Sequence, residues 1–180
     1  MTGSAESAPT QIVWLPVDRW VEYKALRLEA LRDAPQAFGS SYATSVLHPD
    51  DDWIERLREV ERGRSLLLFA EREGRLVGMI GAFWGTEDTE PDTAMIVSVY
   101  VRPACRGQGV SNQLLVSALH ALGSVQGITR GQLTVNPMQQ AALGLYRRHG
   151  FAVVRSIRSE MGDGIEYDEL VMEREIHGDG

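Results

Sequence analysis

The sequence VSVYVRPACRGQGVSNQLL, residues 97–115, changes its hydrophobic period part of the way along. A β-branched run, Thr93–Val101, precedes two glycines, Gly107 and Gly109, and apolar residues then recur at helical spacing. At such a turn the unpaired N–H groups of a helix meet the positive end of its dipole. A main chain without side chains also lets phosphate oxygens approach closely. The stretch therefore predicts a strand, a turn and a helix; the turn either binds an anion or is a tight turn without a ligand.

The rest of the chain predicts further elements on both sides of this stretch, in the order β, α, α, β, β, β, α, β, α, β, β. Helices begin near Asp18, Pro49, Gly109 and Gln139, and Asp33–Ser45 is predicted to be a loop. The predicted strands are 11–15, 66–71, 75–84, 93–101, 132–135, 151–158 and 166–173. Hairpins bracket one βαβ unit, which favours a mixed central sheet with helices on its faces.

Length and composition limit the class of protein. The 180 residues suit a single domain, predicted over 11–175 between a flexible leader, 1–10, and a tail, 176–180. Lys plus Arg number 18 against 25 for Asp plus Glu, a net charge of -7 that argues against nucleic acid as a partner. No apolar run approaches the roughly 20 residues of a membrane span. A single cysteine, Cys105, indicates a reducing compartment, so we expect a cytoplasmic protein without membrane partners.

Two kinds of phosphate-binding turn do not match this sequence. A P-loop needs Lys followed by Ser or Thr after its last glycine, whereas Val110 and Ser111 follow Gly109. A dinucleotide-binding turn needs a third glycine at position 112, which is Asn112, and an acid about 20 residues further on. The window Thr129–Leu133 contains no acid. A nucleotide-binding oxidoreductase is therefore disfavoured, although a stable complex with NAD would restore that hypothesis.

A third kind of turn does match. Arg106-Gly107-Gln108-Gly109, behind a strand that ends in Val-Tyr-Val-Arg-Pro, resembles the coenzyme A pyrophosphate loop of the GCN5-related N-acetyltransferase (GNAT) superfamily. The family pattern is Gln or Arg, two residues, Gly, one residue, then Gly or Ala. Arg106 fills the first position and Gly109 the fourth, while Ser111 stands at the last.

Two further stretches are similar to the same family. LTVNPMQQAALGLYRRHGF, residues 133–151, carries its Leu-x-Val, Ala, Leu-Tyr and Gly-Phe positions, with Gln139 where the family usually has asparagine. RLEALRDAPQAFGSS, residues 27–41, looks like the first-helix region of many members. The resemblance covers roughly Val13 to Glu173.

The resemblance implies a fold and a cofactor site. The fold is α/β: a mixed, mostly antiparallel central sheet with about four flanking helices and a splayed parallel pair formed by its fourth and fifth strands. The cofactor is acetyl-CoA, as acetyl donor, and no metal is expected because the four histidines lack ligand spacing. The implied cofactor-binding residues are Val99, Tyr100, Val101, Arg106, Gly107, Gln108, Gly109, Val110, Ser111, Gln139 and Tyr146.

The implied reaction transfers an acetyl group to a primary amine by direct attack in a ternary complex. The backbone N–H of Val99 is expected to stabilise the oxyanion, and the Tyr146 phenol to protonate the departing thiolate; core packing is the alternative role for Tyr146. Cys105 is interpreted as a small loop residue beside the phosphates. Many relatives place a glutamate on the fourth strand, but Met95, Ile96, Val97 and Ser98 offer no carboxylate. The candidate bases are a water chain past Ser98, or Glu90 or Asp92.

Several alternatives stay open at this stage. The acceptor is a small molecule or protein amine: a polyamine, an amino sugar, an amino acid or a protein N-terminus. Acidic loops at 48–52 and 87–92 would suit a cationic acceptor if they line the entrance. A non-catalytic acyl-CoA-binding regulatory module is the leading alternative function. Tyr167–Met172 is either the edge of a homodimer or a strand packed within one chain.

Overall fold

The computed structural model describes residues 8–178, which form one seven-stranded sheet with helices on both faces. The strands are β1 (Gln11–Trp14), β2 (Ser65–Arg72), β3 (Arg75–Phe83), β4 (Thr93–Val101), β5 (Arg130–Val135), β6 (Ala152–Glu160) and β7 (Glu166–Glu175). The helices are α1 (Trp20–Asp33), α2 (Tyr42–Ser45), α3 (Asp50–Glu61), α4 (Val110–Gly123) and α5 (Gln140–Arg148). The strand order is β1-β2-β3-β4-β5-β7-β6, and β4 pairs with β5 in parallel while the other neighbours are antiparallel. The predicted mixed sheet is confirmed.

Two apolar layers hold the helices against the sheet. On one face α4 and α5 bury Leu114, Leu122 and Tyr146 against the strands. On the other face α1 and α3 bury Leu26 and Trp53. Burial of side chains of this size stabilises the fold by about 1.5–3 kcal/mol each, so the sheet is fixed from both sides and its central strands can hold a site.

The parallel pair is short. Three residue pairs join the strands, from Thr93 with Arg130 to Met95 with Gln132. Beyond Met95 the two strands separate, because β5 continues to pair with β7 on its other side and β4 with β3. The joined end is closed by Asp92, whose carbonyl accepts the N–H groups of Thr129 and Arg130 at 2.9 and 3.1 Å. The opening predicted between the fourth and fifth strands therefore exists, at their C-terminal ends.

Some sequence predictions differ from the structure. The segment predicted as a loop, 33–45, contains a 3-10 turn, Pro35–Ala37, and the single-turn helix α2. Of the two alternatives for Tyr167–Met172, the structure shows the strand packed within one chain, since β7 lies between β5 and β6, and β6 is the edge strand on that side of the sheet. Ile176, assigned to the tail, is buried in the core and donates its N–H to the Thr129 carbonyl. Residues 1–7 of the predicted leader and 179–180 of the predicted tail lie outside the described residues.

The close approach of β3 to β4 gives a stability prediction. A Cβ added at Gly78 would lie 2.9 Å from the Tyr100 carbonyl oxygen and 3.2 Å from Leu114 Cδ1. We expect Gly78→Ala to lower the free energy of unfolding by about 1–3 kcal/mol in urea titrations, because backbone cannot move aside as a side chain can. Gly39→Ala is the control, since a Cβ there meets nothing within 4 Å. Equal unfolding midpoints for the two variants would contradict the packing described.

Candidate functional site

A cavity of about 850 Å³ lies where β4 and β5 separate. One wall comes from α1 and the segment 34–40, and the opposite wall from the turn after β4 together with α5. The strand backbone of 96–101 and 133–135 forms the floor between them. The cavity therefore crosses the sheet and reaches both of its faces.

The glycine turn has the backbone conformation that its sequence predicts. Gly107 and Gly109 have φ angles of 71° and 81°, in the left-handed region that favours glycine. Gly109 immediately precedes α4, so the first N–H groups of that helix lack helical partners and lie at the positive end of its dipole. Nothing lies within 4 Å of a Cβ built on either glycine. An anionic group can therefore reach the backbone of this turn directly.

Arg106 anchors the turn to the rest of the protein. Its Nε donates to the Val101 carbonyl at 2.9 Å, and its Nη2 lies 2.6 Å from Asp33 Oδ2 on α1. The guanidinium also lies 5.6 Å from the Tyr100 ring centroid. Arg106 thus lines the cavity and holds its two walls together.

Gln108 is the one predicted cofactor-binding residue that does not line the cavity; the other ten do. Its amide oxygen accepts from Arg72 Nη1 at 2.5 Å, and its amide nitrogen donates to the Ala104 carbonyl at 3.1 Å. These bonds hold its side chain against the outside of the turn. Gln108 is therefore a structural residue of the turn, and only its backbone is left to meet a ligand.

A β-bulge interrupts β4 at the cavity. Met79 pairs with Tyr100 and Gly81 with Val97, so Ser98 and Val99 together oppose a single residue of β3. Ser98 has a φ of 59°, a conformation that is uncommon for residues other than glycine. Such strain is found at functional sites. The bulge changes the direction of the backbone at Val99, where the strand has no β5 partner.

Tyr146 occupies the α5 side of the cavity. Its side chain is 5% exposed, and its ring packs edge to face on Phe151 at 6.0 Å. Burial raises the pKa of the phenol to about 12, because removal from water disfavours the phenolate. The hydroxyl makes no hydrogen bond within residues 8–178, although the ring lines the cavity. The residue therefore combines the predicted packing with a protonated hydroxyl available to a ligand.

Gln139 and Cys105 also line the cavity. Gln139 is the residue before α5 and lines the cavity, and its side chain makes no capping bond to that helix. Cys105 lines the same wall next to the glycine turn and donates its N–H to the Arg102 carbonyl. Both positions agree with a role beside an extended ligand that enters between the strands.

Arg27 is a cavity residue that sequence reasoning did not single out. Its guanidinium carbon lies 4.8 Å from the Phe38 ring centroid, and its Nη1 donates to Ser98 Oγ at 3.3 Å. The sequence of 27–41 indicates only a resemblance to other first helices. Periodicity could not find Arg27, because its position depends on how α1 lies across β4.

The segment after α1 and the β6–β7 turn close the cavity over Arg27. The Gly162 N–H donates to the Phe38 carbonyl at 2.7 Å, and Met161 beside it lines the cavity. Residues far apart in sequence thus form one arch on the α1 side. Sequence analysis predicted both segments but gave no sign that they touch.

The acids proposed from the sequence lie elsewhere. Asp92 is at the joined end of β4 and β5, where its carboxylate accepts from Thr93, Thr129 and Arg130. Glu90 is in the same loop and lines a separate depression at that end. Within residues 8–178 the cavity lining contains no Asp, Glu or His. Of the candidate bases named from the sequence, Glu90 and Asp92 lie away from the cavity, whereas Ser98 lines it. A water chain past Ser98 therefore remains the candidate.

The acidic loops do not line the cavity either. Asp50 lies 2.7 Å from Lys24 Nζ, and Asp52 lies 2.9 Å from His48 Nδ1, both on the outer side of α1 and α3. The condition attached to a cationic acceptor, that these loops form the entrance, is therefore not met.

Buried Glu169 on β7 is a carboxylate that the sequence did not reveal. It is 3% exposed, and its Oε1 has no hydrogen-bond partner within the described chain. Burial raises its pKa, because it disfavours the carboxylate. Glu169 does not line the cavity, so we assign it no role there.

Two further features of the chain concern metal binding and membrane spans. Residues 8–178 contain no group of three or more His, Cys, Asp or Glu side chains arranged to hold a metal ion. Over the same residues, every helix is too short or too polar to cross a membrane.

Comparisons with known proteins agree with this geometry. A family model described as the Acetyltransferase (GNAT) family matches residues 26–151. A mycothiol acetyltransferase from Salinispora tropica is 29% identical over 138 residues, which are 75% of this chain. The chain spans only 41% of that relative's length.

Solved structures share the fold along nearly the whole chain. A GNAT-family acetyltransferase from Streptococcus pneumoniae has a TM-score of 0.81 at 19% identity, covering 93% of this chain and 100% of that one. A putative acetyltransferase from Salmonella typhimurium, with its cofactor acetyl-CoA, has a TM-score of 0.78 at 17% identity, covering 96% and 97%. At these identities the likeness shows the fold.

The burial of Tyr146 gives a titration prediction. In ¹³C-tyrosine-labelled protein, we expect the Tyr146 signal, identified by its loss in Tyr146→Phe, to remain that of the phenol at pH 11. The unfolded chain loses this proton near pH 10 while the folded protein keeps it. Tyr146 therefore contributes stability below pH 10 that is lost as the pH rises toward about 12. A Tyr146 midpoint near pH 10 would show that the hydroxyl is in contact with bulk water.

Proposed function

This chain belongs to the GNAT acetyltransferase family, and on that basis we propose that it transfers the acetyl group of acetyl-CoA to a primary amine by direct attack in a ternary complex. One observation carries the proposal: the cavity joins an anion-binding turn, an unpaired strand edge and a buried phenol. These are the groups needed to hold a phosphate-bearing thioester and release its thiol.

The residues present fit coenzyme A. The backbone N–H groups at Gly107–Ser111 would hold the pyrophosphate, for the reasons of dipole and access given above. The open edge of β4 at Val99–Val101 would pair with the pantetheine amides as an added strand does. Gln139, whose side chain is uncommitted within the described residues, would donate to a pantetheine carbonyl. When bound, acetyl-CoA supplies a thioester as the acyl donor.

The bulge would place the oxyanion donor. Val99 lies in the bulge, where its N–H can face the carbonyl oxygen of the thioester. Amine attack on the carbonyl carbon forms the C–N bond and moves charge onto that oxygen. A fixed N–H in a site shielded from water stabilises this charge without reorganisation. The strain at Ser98 would be the cost of this orientation.

Tyr146 would donate to the sulfur as the C–S bond breaks. Its pKa of about 12 keeps the phenol protonated at neutral pH. A thiol pKa is near 8.5, so the thiolate needs only a hydrogen bond or a weak acid to leave. The proton that Tyr146 gives up is replaced, directly or through water, by one released from the amine nitrogen as the amide forms.

The amine could lose its proton without a carboxylate base, because a positive charge in the cavity would lower its pKa. An alkyl ammonium group has a pKa near 10.4 in water. A neighbouring positive charge lowers that pKa, and Arg27 supplies one at the cavity. The amine would therefore shed its proton to water beside Ser98 more readily than in bulk solvent.

Calorimetric titration with acetyl-CoA, and with NAD as a paired control, is the experiment that tests the cofactor assignment. We expect saturable binding of acetyl-CoA alone. An amine-panel assay for thiol release then separates catalysis from binding without turnover. Saturable acetyl-CoA binding without thiol release from any amine would overturn the transferase and support the acyl-CoA-binding module.

The glycine turn gives a binding prediction. We expect Gly109→Ala to raise the Kd for acetyl-CoA at least about tenfold, because the left-handed conformation disfavours alanine by roughly 1–2 kcal/mol. The free turn can relax away from the binding conformation, and the added methyl would stand beside the N–H groups proposed to hold the pyrophosphate. Gly127→Ala is the matched control: Gly127 has a φ of 86°, equally open surroundings and no place in the cavity lining. If both variants changed the Kd alike, the effect would reflect general destabilisation.

The phenol gives a kinetic prediction. Tyr146→Phe keeps the ring and its packing but removes the proton donor. We expect kcat to fall about tenfold to a thousandfold, in the range of a lost general acid, with the calorimetric Kd for acetyl-CoA unchanged. Unchanged turnover would leave Tyr146 as a packing residue only.

A further inference from the structure

The cavity carries a charge opposite to that of the chain. The whole protein has a net charge of -7. The charged residues that line the cavity are three arginines, Arg27, Arg106 and Arg148, and no acid is found there within residues 8–178. Arg106 is paired with Asp33, whereas Arg27 and Arg148 have no ion pair within residues 8–178. Low-dielectric walls focus the field of these two charges, so the cavity favours anions although the protein as a whole is negative.

Arg27 lies on the wall of the cavity that α1 and the segment 34–40 form, where we expect the acceptor to bind. Within residues 8–178 it has no acidic partner. Each acid of α1 is paired elsewhere: Glu22 with Arg19, Glu29 with Arg102 and Asp33 with Arg106. Within residues 8–178, Arg27 has no ion pair, and its bond to Ser98 Oγ is its one hydrogen bond. A guanidinium carries five N–H donors in a planar fork. Most of that fork is therefore free to meet a ligand in the cavity.

Partial burial makes this an unfavourable place for a lone cation. Burial lowers the pKa of Arg27 because it disfavours the charged form, and the smaller effects of Tyr23, which raises the pKa, and Arg56, which lowers it, oppose each other. The Phe38 ring face at 4.8 Å offsets part of this cost but brings no negative charge. A carboxylate bound in the cavity would supply the missing counter-charge in the bidentate geometry that arginine favours.

The position of Arg27 limits the shape of the acceptor. Its guanidinium contacts the Ser98 side chain, and Ser98 is the residue immediately before Val99. Consecutive Cα atoms are about 3.8 Å apart. An anion held by Arg27 and Ser98 therefore lies within a few bonds of an amine attacking at Val99. Long polyamines and amino sugars do not carry such a group, whereas amino acids do.

We infer that the acceptor is a small amine bearing a carboxylate close to its nitrogen, of the α-amino acid class, and that Arg27 with Ser98 binds the carboxylate. This inference rests on the proposed acetyl transfer and names its substrate class. Arg27 then selects the acceptor by charge, and it offsets the effect by which the acceptor's own carboxylate would keep the amine protonated.

The test compares L-amino acids with their carboxamides as acceptors in the thiol-release assay. Each carboxamide has the same primary amine without the negative charge, and its amine is the less basic, so amine reactivity alone would favour it. We expect kcat/KM to be at least about tenfold higher for the acids, in keeping with a charge-assisted hydrogen bond. Equal or reversed preference in the wild-type enzyme would overturn the inference without any variant.

Variants assign the preference to Arg27. We expect Arg27→Gln to abolish the preference for L-amino acids over their carboxamides, mainly by raising the KM for the acids. The calorimetric Kd for acetyl-CoA should stay unchanged. Arg27→Lys keeps the charge and should retain part of the preference. Arg32→Gln is the control, because Arg32 lies on the same helix over the Tyr42 ring and outside the cavity. A preference that survives in Arg27→Gln would also overturn the inference.

The outcomes separate this inference from the proposed function. Thiol release with neutral or cationic amines, but not with amino acids, leaves the acetyltransferase in place and rejects the role of Arg27. Absence of thiol release with every amine rejects the proposed function and, with it, this acceptor class.

Discussion

The separation of β4 from β5 is the constraint on which the site depends. Three residue pairs hold the strands together, and Asp92 closes that end through the Thr129 and Arg130 N–H groups. Beyond this point each strand stays paired on its outer side only. Unpaired backbone groups inside a protein must find a partner. The opening therefore leaves backbone groups for water or a ligand to pair with, and it connects the two faces of the sheet.

The two faces supply different chemistry to this opening. The α4 and α5 side offers backbone N–H groups at the glycine turn and the buried Tyr146 hydroxyl. The α1 side offers Arg27 under an arch closed by the Gly162 to Phe38 hydrogen bond. A donor and an acceptor can thus enter from opposite sides and meet at the bulge. The arrangement suits a reaction in which both substrates are bound at once.

The net charge of the chain differs in sign from the charges that line the cavity. Acids on α1 and α3 form surface ion pairs, which are individually worth little in stability. Pairing the α1 acids with other arginines has a second effect, since it leaves the cavity without a carboxylate. An acidic protein therefore contains a cavity whose charged lining residues are all basic. The electrostatic selection of substrate depends on which side chains face inward and not on net charge.

The sequence by itself determined the order of the elements, the mixed sheet and the glycine turn, and ten of the eleven residues it proposed for cofactor binding line one cavity. These features are local, because hydrophobic period, β-branching and glycine spacing act over a few residues. The tertiary structure alone decided the rest: the hydrogen bonds that hold Gln108 in the turn, the interior place of β7, and the position of Arg27 over Ser98. Each of these features depends on contacts between residues far apart in the chain. A pattern within a short segment does not indicate which distant side chains that segment will contact.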